Sequence, residues 1–544
     1  MRIFGSVDSF VESSGTLRLG RLVANATFLE ALLRHGDFDR YEIFCATENE
    51  RSRLRGHVQS LGDGAALLSR MDLRLQLELP KRMREAPWEA MHFGGWSRYL
   101  PSLAWLRATL SPRTFPLTGW IHSIDGPSQA GNLRRLLASP LCGADAVFCT
   151  STAGRDAFAR QLERVGRRES LAWSGRLEHV PLGVHDTYFS PPSRAQARSR
   201  LGIATSAKLA LWIGRISATS KADLNPLLLQ WRALSAADGN RLLILAGGST
   251  DSELAALSGA ILELGLSRSV RLMPDVDDAQ KLDLLGAADV FVSPVDNLQE
   301  TFGISVVEAM AAGLPVVASD WDGYKDLVEE GTTGMRIPVD WTLPPPDAMA
   351  LQQILEPSLD QFLVAQGVAV DPIALRKALE TLFADPERAH AMGMAGKERA
   401  RRLFSWQAVV SLCTEVWSRL SRESADLPVP GRGSTDPQIL DPAEVFGGYA
   451  SRQPSMPSGM ASLTDLAWDV LSGRIPMPAT FSDLMELSDG RLLTVLVLGL
   501  RSGQTESDAH LRSCAAATGR SMAEAAWLFS WLRKYGLVEI RPRL

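Results

Sequence analysis

Residues 289–319 read DVFVSPVDNLQETFGISVVEAMAAGLPVVAS. The pattern predicts a buried strand, a loop, a helix that begins near Phe302, Gly303 and Ile304, and a second buried strand. The first turn of such a helix presents free N–H groups and a partial positive charge, which suit a phosphate or a diphosphate. Gly303 has no side chain to keep a ligand away from the backbone. The stretch therefore predicts an anion site at the start of this helix.

Two glutamates flank the helix start. Glu300 lies just before it, and Glu308 lies eight residues further on, inside the helix. In a ligand site, one carboxylate would contact a sugar hydroxyl and the other would accept a hydrogen bond from a ribose. In the structural alternative, Glu308 is a solvated helix residue and Glu300 is a loop carboxylate or a cap.

The same residues carry a family resemblance. ETFGISVVEAMAAGLPVVAS at 300–319 resembles the E-x7-E signature of the family 4 retaining glycosyltransferases, which have the GT-B fold. Because the glutamates stand within FG, EAMA and GLPVV, the match is more specific than their spacing alone. The resemblance covers most of residues 1–422. It implies two Rossmann-like domains facing a cleft, with the nucleotide-sugar in the second domain and the acceptor in the first.

The wider pattern indicates an α/β protein. Short apolar runs alternate with longer helical patterns through the first 400 residues, as in βαβ units with parallel sheets. Strands are predicted at residues 1–7, 41–46, 118–123, 146–151, 177–183, 208–214, 242–247, 289–294 and 314–319.

Composition changes mark the expected domain boundaries. A hinge is predicted at Ser190-Pro191-Pro192, and a Pro-rich stretch at 341–349 begins an insertion that reaches about residue 370. We expect an acceptor domain at 1–190, a donor domain at 191–404, a helix at 405–422 that returns to the first domain, a flexible linker at 423–460, and a small, mainly helical, winged-helix-like module at 461–544.

The segment WIGRISATSKAD at 212–223 resembles the first donor-domain strand of the family, which places Gly214, Arg215 and Lys221 beside the diphosphate. A departing diphosphate gathers negative charge, and fixed cations lower that barrier. The resemblance therefore implies a donor that is UDP- or GDP-linked, with no metal and no other cofactor. The family usually has Gly after the Lys, whereas Ala222 stands here. Taken alone, each cation is typical of an ordinary surface side chain.

Two positions of the first domain resemble cleft residues. Gly15, in SSGTLRLG at 13–20, follows the first strand where a loop of the family contacts the diphosphate, although a simple strand-to-helix turn explains it equally well. His122 ends a predicted strand and resembles the cleft histidine near the transferred sugar, although a lone histidine at a strand end is often structural. Asp125 is a further candidate carboxylate.

The resemblance also implies a reaction without a dedicated base, in which the leaving diphosphate deprotonates the acceptor and Glu300 is a positioning residue. DGYKDLVEEGTTGMRIP at 322–338 resembles the GG-x-x-E-x-V stretch of the family, with Asp322 in place of the first Gly and Asp326 where Glu is usual. A structural role is expected for this segment.

Asp275 and Asp277 form a D-x-D pair that is found in metal-binding sites of the other large glycosyltransferase fold. A cap for a helix that begins near Asp278 is the favoured interpretation. No nucleophile elbow, phosphate-binding P-loop or zinc motif is present, which argues against hydrolase, kinase and metalloenzyme functions.

Composition limits the partners and the cellular location that are expected. The chain has 544 residues, a formal charge of −5 and five scattered cysteines, so nucleic acid is not expected as the main partner and a reducing cytoplasm fits best. The module at 461–544 balances nine acidic against nine basic side chains, so docking of a protein partner is favoured over DNA contact. Basic and aromatic side chains at 79–115 suit peripheral contact with the inner membrane face, but an ordinary folded segment is favoured.

The acceptor stays open at this stage. A polysaccharide or other glycan, a lipid-linked glycan, a protein or a small-molecule natural product is compatible with the sequence. The other functions considered are a non-catalytic GT-B-like sugar-nucleotide binding protein that signals through its C-terminal module, and a sugar-nucleotide epimerase.

Overall fold

The computed structural model describes residues 1–11, 20–126, 128–298, 300–351, 354–355, 357–449, 456–476 and 490–541. Its centre is two separate parallel sheets, each with helices between successive strands. Both sheets are built from short runs of buried apolar residues, as expected for strands covered on both faces. The α/β class and the two Rossmann-like domains are thereby confirmed.

The first sheet has seven strands in the order β3-β2-β1-β4-β5-β6-β7. They are β1 (Ile3–Ser6), β2 (Arg40–Cys45), β3 (Met71–Leu75), β4 (Ala90–Phe93), β5 (Leu117–Trp120), β6 (Ala146–Cys149) and β7 (Arg176–His179). The helices of this domain are α1 (Gly20–His35), α2 (Glu48–Gln59), α3 (Gly64–Ser69), α4 (Leu79–Glu85), α5 (Trp96–Leu110), α6 (Gln129–Ala138) and α7 (Thr152–Glu169).

The second sheet has six strands in the order β10-β9-β8-β11-β12-β13. They are β8 (Lys208–Ile213), β9 (Arg241–Gly247), β10 (Val270–Pro274), β11 (Val290–Ser293), β12 (Val316–Ser319) and β13 (Gly334–Ile337). The helices are α8 (Arg194–Leu201), α9 (Asn225–Ala237), α10 (Asp251–Glu263), α11 (Asp278–Ala287), α12 (Ile304–Ala311) and α13 (Tyr324–Leu327). The strand order reverses between β8 and β11, where ligands of open α/β sheets usually bind.

The predicted insertion is a compact addition to the second domain. Its base is an antiparallel pair of strands, and two short helices lie between them. These elements are β14 (Val339–Trp341), α14 (Pro346–Ala350), α15 (Pro357–Ala365) and β15 (Val368–Val370).

The chain then returns to the first domain. Helices α16 (Pro372–Ala384) and α17 (Pro386–Phe404) lead into α18 (Trp406–Ser424), which packs on α1. The indole of Trp417 is fully buried and donates to Thr118 Oγ1 on β5 at 2.9 Å. The chain passes between the domains twice, near Val184 and near Phe404. Val184 N donates to Phe404 O at 2.8 Å, so these two crossings lie side by side.

Part of the expected linker at 423–460 is not free. Gly433 N donates to Ala108 O at 2.9 Å, and Thr109 Oγ1 donates to Ser434 O at 2.8 Å. Both contacts lie in the last turn of α5, where a helix leaves carbonyl groups without helical partners. Thr114 Oγ1 donates to Pro428 O at 2.9 Å. Residues 428–434, here called the strap, are therefore fixed to the first domain, which corrects the prediction of a flexible segment over this range.

Beyond the strap lie α19 (Pro442–Phe446) and then the C-terminal module. The module has a three-stranded antiparallel sheet in the order β17-β16-β18 and its own buried core. Its elements are β16 (Met460–Leu463), α20 (Asp465–Leu471), α21 (Gly490–Gly499), β17 (Thr505–Glu506), α22 (Ser507–Thr518), α23 (Met522–Lys534) and β18 (Val538–Arg541). The succession of two helices and a strand at 507–541 agrees with a winged-helix-like module.

Candidate functional site

The candidate site lies where three loops leave the carboxyl ends of neighbouring strands. The loop after β8 covers residues 214–223, the loop after β11 ends at Gly303, and the turn after β12 covers residues 320–323. Since β8, β11 and β12 are neighbours in the sheet, these loops converge at the reversal of strand order.

Lys221 and Glu300 form an ion pair across this crevice, 79 residues apart in sequence. Burial disfavours the charge on Lys221, but the neighbouring Glu300 carboxylate outweighs it and raises the pKa of Lys221 above its ordinary value. Burial likewise opposes the charge on Glu300, yet Lys221 and the backbone N–H groups of Phe302 and Gly303 keep the pKa of Glu300 below its ordinary value. Both groups are therefore charged at neutral pH.

The loop that carries Lys221 is tied to the loop that carries Glu300. Asn297 is fully buried, and its Nδ2 donates to Thr219 O at 3.1 Å. The backbone N–H of Asp223 lies 3.3 Å from each carboxylate oxygen of Asp296. Burial, with the nearby charge of Asp223, raises the pKa of Asp296 to about 7.

The start of α12 is shaped by the protein's own packing. Gly303 has φ 106°, a conformation that favours glycine, and a Cβ built there would lie 2.3 Å from Tyr324 Cε1. The hydroxyl of Tyr324 lies 2.8 Å from Ser293 Oγ, which holds the ring in place. Ile304 is the first residue of α12, and the side chain of Phe302 is buried against Phe404. The close approach at Gly303 is therefore to Tyr324.

Glu308 is 2% exposed, so the alternative of a solvated helix residue is wrong. Lys281 Nζ on α11 lies 2.6 Å from its carboxylate and 5.1 Å from the centre of the Tyr188 ring. A buried carboxylate with one cationic partner is expensive to maintain without a further partner. The arrangement suits a carboxylate that accepts additional hydrogen bonds from a ligand.

Gly214 and Arg215 lie where β8 and β9 approach closely. A Cβ on Gly247 would lie 1.9 Å from Gly214 O, and a Cβ on Gly214 would lie 3.3 Å from Lys221 Cε. Arg215 lies near both Lys221 and Glu253: its charge contributes to the lowered pKa of Glu253, and it partly opposes the rise in the pKa of Lys221. The structure therefore brings Gly214, Arg215 and Lys221 together.

His122 of the first domain contacts the loop after β11 through its backbone. Its backbone carbonyl accepts from Thr301 Oγ1 at 2.8 Å, and its Nε2 contacts Gly94 O. Thr150 Oγ1 donates to Thr301 O at 3.1 Å. Thr301, the residue after Glu300, thus joins the two domains at the cleft. Gly15 lies outside the described residues.

Sequence reasoning missed several groups around the cleft. Gln361, on the insertion helix α15, is 3% exposed and hydrogen bonds to Asp125 of the first domain. Burial raises the pKa of Asp125, and the charge of Asp360 adds to this effect. Such contacts between distant segments leave no periodic signal in a single sequence.

Asp277 of the D-x-D pair caps the helix α11, as predicted. Asp277 Oδ1 accepts from Gln280 N at 2.7 Å, and Gln280 Oε1 accepts from Asp277 N at 3.0 Å. Within the described residues, no group of three or more His, Cys, Asp or Glu side chains is arranged to hold a metal ion.

Residues 79–115 pack as an ordinary folded segment. Trp88 and Trp96 are buried, and Arg107 is fully buried in an ion pair with Asp145 at 2.7 Å. Arg113 donates to Trp88 O at 2.7 Å. Among the helices of the described chain, none is long and apolar enough to cross a bilayer. Peripheral membrane contact stays a prediction.

Comparison with known proteins gives a match to this region. A family model described as "Glycosyl transferases group 1" matches residues 193–343. The D-inositol 3-phosphate glycosyltransferase of Thermobispora bispora is 30% identical over 263 residues, which are 47% of this chain and 53% of that protein. The alpha-maltose-1-phosphate synthase of Mycolicibacterium smegmatis is 27% identical over 284 residues, 51% of this chain and 64% of that protein. The chain thus spans about half the length of the first of these curated relatives.

Solved structures share the two-domain fold. The sucrose-phosphate synthase of Thermosynechococcus elongatus superposes with a TM-score of 0.52 at 19% identity, covering 78% of this chain and 100% of that one. The Anabaena protein HepE, solved in complex with UDP, superposes with a TM-score of 0.52 at 17% identity, covering 77% of this chain and 100% of that one. At these identities the likeness concerns the fold.

Proposed function

We propose that this chain, whose residues 193–343 match the family model of the glycosyl transferases group 1, transfers a sugar from a nucleoside diphosphate to an acceptor hydroxyl with retention at the anomeric carbon. The observation that carries the proposal is the crevice at the reversal of strand order, where Lys221 pairs with Glu300 beside Arg215 and the start of α12. A nucleotide-sugar presents a diphosphate and a ring of hydroxyls, and this crevice offers cations for the first and a carboxylate for the second.

The diphosphate is assigned to Arg215, Lys221 and the N–H groups of the first turn of α12. When the bond between the anomeric carbon and the phosphate oxygen breaks, the electron pair stays on the diphosphate. Fixed cations and N–H dipoles then stabilise the growing negative charge. We assign this stabilisation to the protein's own groups, so the proposed reaction is metal-independent. Gly214 lets Lys221 pass close to the backbone at the end of β8.

The sugar is assigned to Glu300 and the ribose to Glu308. Glu300 accepts from a sugar hydroxyl while it keeps Lys221 beside the diphosphate. Glu308 accepts from ribose hydroxyls while it stays paired with Lys281. The acceptor oxygen bonds to the anomeric carbon on the face that the diphosphate leaves, and its proton passes to a departing phosphate oxygen. His122 is assigned to the cleft near the transferred sugar, with Asp125 as a further candidate carboxylate. The donor is UDP- or GDP-linked, and the acceptor is a glycan, lipid-linked, protein or small-molecule hydroxyl.

A thermal-shift screen against UDP, GDP, ADP and their common sugar conjugates tests the donor assignment. A ligand at 100 times its dissociation constant adds about 2.7 kcal/mol to the stability of the folded state. We expect a shift that is selective for one base and is lost in Arg215→Ala. The matched control is Arg200→Ala, which removes an arginine that is 53% exposed on the same domain and pairs with Asp283. If none of these nucleotides changes the melting temperature of wild type, the proposal is contradicted.

A further inference from the structure

The turn between β12 and α13 holds a non-glycine residue in a glycine conformation. Asp322 has φ 45°, in the left-handed region that L side chains rarely adopt. At this position the resembled family usually has Gly, so nothing in the backbone requires an aspartate. A strained conformation that costs about 1 kcal/mol or more persists where its surroundings fix it, and such positions concentrate at functional sites.

The neighbours of Asp322 fix the turn against the loop of Glu300. Trp321 Nε1 donates to Asn297 O at 3.0 Å. A Cβ on Gly323 would lie 2.7 Å from both Phe302 Cα and Thr301 O, so the two backbones are in direct contact. Asp322 is therefore held between two anchored residues and beside the segment that presents Glu300.

The carboxyl group of Asp322 lies near enough to Glu300 to be affected by its charge. Burial, together with the negative charge of Glu300, raises the pKa of Asp322 well above its ordinary value, and the charge of Asp326 acts in the same direction. The Gly323 N–H and the Lys325 ammonium oppose this shift without cancelling it. The raised pKa favours the protonated form of Asp322, whose O–H can donate, beside the Glu300 carboxylate, which accepts.

We propose that Asp322 is a specificity-determining residue that hydrogen bonds to the transferred sugar and, together with Glu300, selects which sugar the donor carries. The inference rests on the proposed function. A donating O–H beside an accepting carboxylate suits a sugar with two neighbouring polar substituents, of which one accepts and one donates. A site that hydrogen bonds to a sugar rejects an isomer that leaves its polar groups without partners.

Asp322→Gly and Asp322→Asn test this role. The glycine variant restores the residue that the backbone favours, so we expect the melting temperature to stay unchanged or to rise. The readout is the ratio of dissociation constants for the accepted nucleotide-sugar and for the bare nucleoside diphosphate, measured by calorimetry. We expect Asp322→Gly to weaken the nucleotide-sugar by roughly 10- to 100-fold, as the loss of one or two strong hydrogen bonds predicts, with the diphosphate affinity within about twofold of wild type.

A donor panel of UDP-glucose, UDP-galactose, UDP-N-acetylglucosamine and GDP-mannose completes the test. Among the donors that share the accepted base, we expect the differences in affinity to become smaller in Asp322→Gly. In Asp322→Asn they should be partly kept. The matched control is Asp275→Gly, which makes the same change at another left-handed aspartate, φ 52°, on an exposed turn of this domain. It should leave the affinity ratio and the discrimination unchanged.

The outcomes separate the two proposals. If wild type binds a nucleoside diphosphate and its sugar conjugates, and Asp322→Gly keeps both the ratio and the donor preference, the role of Asp322 is overturned while the function stands. Equal weakening of the diphosphate and the conjugate in Asp322→Gly would also overturn it, because the residue would then act on the fold of the site. Absence of any nucleotide binding by wild type overturns both.

Discussion

At the scale of single residues, the Lys221 and Glu300 pair is a charged contact between the loops that follow β8 and β11. Glu300→Gln keeps the shape of the side chain but removes its charge, so it should lower the transfer rate roughly 10²- to 10³-fold while leaving the fold intact. The measurement is kcat for sugar transfer, with circular dichroism as the check on folding. Glu263→Gln, on the exposed side of α10, is the control. Wild-type rates in Glu300→Gln would remove this residue from the proposed site.

Asp296 sets a pH dependence of stability. It is 7% exposed, and its pKa is raised to about 7 in the folded protein from an ordinary value of 3.8. Between these two values the folded state binds more protons than the unfolded state, so stability falls as pH rises from about 4 to about 7 and the loss is complete above that. Asp296→Asn cannot ionise and should lack this slope, which amounts to about 4 kcal/mol at most.

Urea unfolding of wild type and Asp296→Asn at a series of pH values from 4 to 8 measures this difference. The comparison cancels the contributions of other titrating groups, since these are common to both proteins. Curves that stay parallel over the whole range would show that folding does not raise the pKa of Asp296.

At the scale of elements, the start of α12 depends on one glycine. Gly303→Ala places a methyl group on the Tyr324 ring and keeps φ 106° unfavourable, so it should cost about 2–4 kcal/mol of unfolding free energy. Gly259→Ala is the control, because a Cβ on this residue of α10 meets no atom within 4 Å. It should raise stability by up to about 1 kcal/mol through helix propensity. Equal effects of the two changes would contradict the assigned packing.

In the first domain, one buried ion pair stabilises the packing of α5 against β5. Arg107 and Asp145 are both fully buried, and Asp145 also accepts from Leu117 N at 3.0 Å and Cys142 N at 2.8 Å. Arg107→Met leaves a buried carboxylate without its cation and should cost about 3–5 kcal/mol. Chemical denaturation measures this cost. Arg167→Met, which removes an arginine that is 72% exposed beside Glu163, should change stability by less than about 1 kcal/mol.

The sequence predicts the central elements better than the edges. Every predicted strand is present in the two parallel sheets, whereas β3, β4, β10 and β13 of these sheets are not predicted. Three of these, β3, β10 and β13, lie at sheet edges, where only part of each strand is buried and the apolar run is broken. The fourth, β4, carries His92, which is fully buried among aromatic rings but reads as a polar residue.

In the candidate site, residues in local motifs were predicted, whereas residues that act through distant contacts were not. Glu300 and Lys221 were found because they stand in local motifs, each next to a predicted strand. Asp296 was missed, although it lies in the same stretch as Glu300, because its partner Asp223 is 73 residues away. Thr301 and Gln361 matter through contacts across the cleft. Pairings of this kind depend on the folded arrangement of loops, which no local pattern encodes.

At the scale of the whole molecule, two truncations should distinguish what the strap contributes from what the module contributes to stability and donor affinity. A chain that ends at residue 449 loses the module, whose buried core, among the residues that the structure describes, runs from 461 to 538. This chain should keep the nucleotide-sugar affinity and the melting temperature of the two large domains. A chain that ends at residue 426 also loses the strap and the burial of Val429, which is 7% exposed. Its melting temperature should fall by about 2–4 °C for each kcal/mol lost.

Differential scanning calorimetry and calorimetric titration with the nucleotide-sugar distinguish the two truncations. If the chain ending at 449 loses donor affinity, the module is part of the donor site. If the chain ending at 426 melts at the same temperature as the longer one, the strap contributes nothing to stability.

The paired crossings between the large domains have a mechanical consequence. Val184 and Phe404 are joined by a backbone hydrogen bond, and Gly183 lies against the Trp406 ring, with no room for a side chain between them. Because the two covalent connections lie side by side, we expect the domains to rotate about this point and to slide or twist little against each other. A protease that cuts either connection leaves the halves joined by the other one, so a nicked protein should still open and close its cleft.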